Sequence, residues 1–177
     1  MAAHQRKCEG ESHEHDASEP PDPATAVAAL ATLALTASPA LADGGSGHSI
    51  LRAPLVGSMR ADAPIAGIQP GGVSWVNGPS TARVREDGRI RVEIEGLVIP
   101  PPDGTNVNPI TSVVAMLVCD GMAVSSTDEF ALNAAGDGST RDVITGTRDC
   151  DDPVVLIQPA ANLARFIAST VDDHHDD

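Results

Sequence analysis

Tyrosine is absent from this 177-residue chain, and its remaining aromatic side chains are one tryptophan and two phenylalanines. Stacking platforms for bases or sugar rings are thereby nearly excluded. Hydrophobic residues make up 41% of the chain, mostly as alanine and valine, so any core is built from small aliphatic groups. Lysine occurs once, at Lys7. Schiff-base chemistry and a phosphate-loop lysine are excluded from everything downstream, and neither GxxxxGKS/T nor GxGxxG is present. Positive charge is scarce as well: 11 Lys+Arg stand against 25 Asp+Glu, a net charge of −14. That balance opposes nucleic acid phosphates and anionic lipid surfaces, and no nucleic acid partner is expected.

One long uncharged run is present, at residues 24–37, ending in Ser38-Pro39-Ala40-Leu41-Ala42. It has the length of a secretory signal core and is short for a bilayer span. Ala40-Leu41-Ala42 supplies the small-x-small pattern of signal peptidase, so residues 1–42 are read as a signal peptide and 43–177 as an extracytoplasmic, secreted remainder without a membrane span. The amino end departs from the rule, since Arg6 and Lys7 face six acids between Glu9 and Asp22. A start downstream of Met1, or an alanine-rich linker or buried helix, are the alternatives. Cysteine counting favours cleavage: of three cysteines, removing Cys8 leaves the even pair Cys119 and Cys150. In an oxidising compartment that pair is expected to form a disulfide closing a loop of about thirty residues, worth about 3.5 kcal/mol by chain entropy. Two buried free thiols are the alternative.

Short stretches rich in Val, Ile and Thr, separated by Gly, Pro, Asn and Asp, recur from Ile50 to Val171. The pattern predicts an all-β fold, a single β-sandwich of about seven to nine short antiparallel strands over 43–171, with 172–177 a loose acidic and histidine-bearing tail. The clearest unit is 81–94. Ala82, Val84, Ile90, Val92 and Ile94 share even numbering, with polar or charged residues between them. A two-residue Asp87-Gly88 turn would mix the faces, whereas a three-residue loop 86–88 pairs Val84 with Ile90 and Ala82 with Val92. Gly88 then takes the positive-φ bulge position. Beyond Gly96 the apolar parity slips by one, as a bulge there would cause. Residues 100–106 read as a stiff loop. Residues 111–119 are apolar at nearly every position and read as a central strand needing cover on both faces. Further strands are expected at 73–76, 122–125, 129–132, 141–147 and 154–158, and 163–171 as an edge strand with some helical periodicity.

Arg85-Glu86-Asp87-Gly88-Arg89-Ile90-Arg91-Val92, then Gly96-Leu97-Val98-Ile99, Asn108-Pro109-Ile110-Thr111 and the strand ending at Cys119 resemble a group of exported bacterial β-sandwich proteins of unassigned function. The likeness covers residues 80–160. Its motifs are structural, so it implies fold and export and lends no catalytic residue.

Three constellations invite chemistry. Arg83, Arg85, Arg89 and Arg91 sit on the polar face of the 81–94 hairpin and form a candidate anion-binding comb, which Glu86, Asp87, Glu93 and Glu95 match in number as a solvated, cross-linked face. Asp120, Asp149, Asp151 and Asp152 flank the two cysteines, and a disulfide would draw these like charges together; calcium is the cation that would relieve them. His4, Cys8, His13 and His15 match no standard zinc spacing, and Asp173-His174-His175-Asp176 is a similar tail. Nucleophilic catalysis would need His48, His174 or His175, all in expected loose ends. Sugar binding would require Trp75 to be exposed. The reading from sequence is a non-catalytic structural or interaction module with an envelope or extracellular partner and no cofactor. A low-affinity calcium- or transition-metal-binding protein and a small envelope hydrolase are the alternatives.

Overall fold

The computed structural model describes residues 47–170. The expected signal peptide 1–42 and the tail 172–177 lie outside them. The described residues contain strands and turns and no helix. In chain order the strands are β1 (Ser49–Gly57), β2 (Gln69–Pro70), β3 (Ser80–Arg85), β4 (Arg89–Ile94), β5 (Ser112–Cys119), β6 (Met122–Ser126), β7 (Phe130–Ala131), β8 (Gly138–Val143), β9 (Pro153–Pro159), β10 (Arg165–Phe166) and β11 (Ala168–Thr170). Nine of them form one sheet in the order β6-β5-β9-β11-β1-β3-β4-β8, with β7 pairing Ser112 and Val113 at the start of β5, beyond the stretch that β6 pairs. Every ladder in that sheet is antiparallel; β2 and β10 form a separate two-residue parallel pair.

The two faces of a sandwich arise here by curling one sheet. Val113, Ala115 and Leu117 of β5 and Val155 and Ile157 of β9 share a core with Ala82 and Val84 of β3 and Ile90, Val92 and Ile94 of β4. Alternation is the cause. Each of β3 and β4 buries every second residue and leaves the others wet, so an apolar face has to meet another. β5 is apolar on both faces, and its second face is covered by a smaller cluster. There Val118, Leu156 and the fully buried Phe166 pack with Ile65, Ala66, Ile68, Met116 and Val154. The cover expected for this strand is therefore the 59–68 loop together with β10.

Several expected strands move. Residues 73–76 form no strand beyond an isolated Val76↔Val98 bridge, and Trp75 is buried, only 4% exposed. The segment expected at 141–147 lies earlier, at Gly138–Val143. The apolar parity does slip at Gly96, which has φ 63°, but β4 has already ended at Ile94. Leu97 N–H instead donates to Gly136 O at 3.1 Å. Asp137 ties the same two segments, accepting from Gly96 N–H at 2.8 Å and from Asn133 Nδ2 at 3.1 Å. The Gly96 bond first, and the Asn133 bond second, hold its carboxyl below the usual range. Within the segment expected as an edge strand, Ala168–Thr170 form an interior element, since β11 lies between β9 and β1. Ala168, Ser169 and Thr170 are all buried, and their small side chains left little apolar signal to mark them.

Candidate functional site

The arginine face follows from hairpin register. β3 and β4 pair Ala82↔Val92, Arg83↔Arg91 and Val84↔Ile90, which is the three-residue loop that apolar parity demanded. Gly88 closes it at φ 85°, and a Cβ there would come 2.2 Å from Ile144 O, so only glycine fits. With the even positions buried, Arg83, Arg85, Arg89 and Arg91 share the outer face. The neighbouring strands enlarge the set. β1 places Arg52 opposite Arg83, and β8 places Arg141 opposite Arg91. Arg52, Arg83, Arg91 and Arg141 thus form one row across four adjacent strands, about 4.8 Å from strand to strand.

The expected neutralisation of this face is incomplete. Arg89 Nη1 lies 3.6 Å from Asp87 Oδ2, and Arg91 Nε donates to Glu93 Oε1 at 3.2 Å. Glu86 faces His48 instead, with Nδ1 and Oε2 3.8 Å apart. Among the described residues, Arg52, Arg83 and Arg141 take part in no ion pair or side-chain hydrogen bond. Like charges directly opposite each other in a sheet are destabilising. Arg83, Arg85, Arg89, Arg91 and Arg141, with Val143 and Asp142, line a groove of about 430 Å³. Asp142 is engaged elsewhere, accepting from Asp128 N–H at 2.7 Å. Planar guanidinium forks in such an array suit the oxygens of phosphate and carboxylate groups.

The cysteines behave as the count suggested. Cys119 and Cys150 are at disulfide-bonding distance, S–S 2.00 Å and Cα–Cα 5.1 Å, which is compatible with an extracytoplasmic location. Asp120, Asp149, Asp151 and Asp152 are all exposed, and among the described residues no group of three or more His, Cys, Asp or Glu is placed to hold a metal ion. Asp120 has another task. It has φ 52° and Gly121 φ 74°, and Cys119 pairs with Met122 across them. This is a two-residue hairpin turn with both central residues left-handed, for which Asp-Gly is a preferred pair. The disulfide brings the loops together through backbone, with Asp120 N–H 3.4 Å from Asp152 O.

His48 reaches Glu86 rather than a serine or aspartate, and its side chain is 88% exposed. His174 and His175, like His4, Cys8, His13 and His15, lie outside the described residues. Buried Trp75 offers no sugar platform. Arg52 and Arg141 were missed from sequence, because their places in the row depend on β1–β3 and β4–β8 pairings between segments far apart in the chain. Comparison of the chain with known protein families, curated proteins and solved structures finds no match to any of them.

Proposed function

We propose that this chain is an extracytoplasmic, non-catalytic interaction module that recognises anionic groups through the outer face of β1, β3, β4 and β8. The observation that carries the reading is the cross-strand row Arg52–Arg83–Arg91–Arg141, in which three members lack an internal partner among the described residues. On a protein of net charge −14, a local block of cations is an island. It attracts an anion at short range while the molecule as a whole repels extended anionic surfaces. The exposed His48 supports the non-catalytic part, because a base that is not itself oriented beside a nucleophile does not activate one. The Cys119–Cys150 pair supports an oxidising compartment, in keeping with the signal-like run at 24–37 and with the resemblance to exported β-sandwich proteins.

Two measurements test this. Arginine Nε–H resonances followed by NMR while a panel of small anions is added should move for Arg83, Arg91 and Arg141. Silence of all three towards every anion overturns anion recognition. Mass spectrometry of the native protein should give a mature amino end at Asp43 and a mass lacking the two thiol hydrogens; an intact, reduced chain overturns the compartment.

A further inference from the structure

We infer that the arginine groove is a site for a compact polyanion, a small molecule carrying at least two phosphate or carboxylate groups. This rests on the anion-recognition reading above and specifies its ligand. Arg83 and Arg85 on β3 and Arg89 and Arg91 on β4 form a two-by-two block. Neighbouring members are about 4.8 Å apart across the strands and about 6.8 Å apart along them, and Arg141 continues the Arg83–Arg91 line. Two anionic groups on one small skeleton match the Arg83–Arg91–Arg141 line, one towards Arg83 and one towards Arg141, with Arg91 between them. A single group engages only one end of it.

The size of the groove, about 430 Å³, falls within the range of small-molecule sites. Its borders argue against a long polymer. Glu86 and Asp87 occupy the hairpin loop at one end of the block, and Glu93 stands on the same face one step beyond Arg91, opposite Thr81 and Ser139. A polyanion running off the arginines along the strands meets these carboxylates, whereas a compact one ends before them. Base stacking adds nothing for a nucleic acid at this groove, since Trp75 and Phe166 are buried, Phe130 packs against the core, and none of the three lines the groove. The energetics point the same way. Arg83 faces Arg91, and Arg91 faces Arg141, so the empty face carries repulsion that a bound polyanion relieves. Local destabilisation of this kind is characteristic of positions kept for contact rather than for stability.

The test measures binding of orthophosphate, pyrophosphate, citrate and long-chain polyphosphate to the whole chain by calorimetry, at one ionic strength. Pyrophosphate or citrate should bind at least about tenfold more tightly than orthophosphate, the factor that one added charge-assisted contact supplies. Which of the two binds better distinguishes a phosphate from a carboxylate ligand. Arg83→Gln and Arg141→Gln, both exposed and outside any internal ion pair, should each weaken the preferred anion about tenfold and raise the melting temperature of the ligand-free protein. Orthophosphate binding as tightly as pyrophosphate and citrate, or long polyphosphate binding more tightly per phosphate than pyrophosphate, overturns the compact polyanion and leaves anion recognition standing. Failure of every anion to bind removes both.

Discussion

The outer surfaces of the two halves of this curled sheet are finished in opposite ways. Over β5 and β9 the outer face is sealed by Phe166 and the 59–68 loop, with Val118 and Leu156 beneath them. Over β3 and β4 the outer face has no such cover and presents guanidinium groups. Both halves supply apolar side chains to the same inner core, so the difference is not one of position in the fold. It lies in the residues at alternate positions. Met116, Val118, Val154 and Leu156 need a lid; Arg83 and Arg141, in no ion pair among the described residues, need water or a counter-ion. One face holds the molecule together and the other is left for contact.

The sharpest way to break this contrast is at the lid. Phe166→Ala should cost about 3–5 kcal/mol of stability, read by denaturant unfolding, while the anion response of the arginine face stays unchanged under folding conditions. Loss of both together would mean that the lid also shapes the groove. Gly88→Ala acts on the other half. A side chain at φ 85° that also meets Ile144 O should destabilise by about 1–3 kcal/mol and shift the arginines on either side of the loop, so that anion binding weakens in step with stability.

The smallest effect concerns acid. Asp137 has a carboxyl held below its ordinary value of 3.8 by the Gly96 N–H and Asn133. Because its folded value is the lower one, its contribution is complete above the unfolded value and is lost as pH falls through the folded value. Asp137→Asn should be less stable than the parent at neutral pH and should lose less stability on acidification. Parallel acid profiles for the two proteins would refute that assignment.

Local patterning explains which parts of this architecture were legible. The β3–β4 hairpin could be derived to the residue, because apolar parity on two adjacent strands admits one loop length and Gly88 satisfies it. The cover on both faces of β5, one strand in from the sheet's end, followed from its apolar run. The arginine row was half visible: Arg83 and Arg91 lie on one hairpin, whereas Arg52 and Arg141 join through long-range pairing that no local signal encodes. β11 was misplaced at an edge because a strand of alanine, serine and threonine shows no apolar alternation even when buried on both sides. Asp120 was read for its charge, although the Asp-Gly step between Cys119 and Met122 was the stronger message. The presence of carboxylates near the disulfide was legible; the backbone of the turn that carries Asp120, which charge counting ignores, was not.

The position of β11 has a consequence for how the molecule is made. No ladder joins β9 to β1 among the described residues; the last three-residue strand is inserted between them and hydrogen-bonds to both. Without Ala168–Thr170 the backbone ladder would be broken at that point, and only the shared inner core would join its two sides.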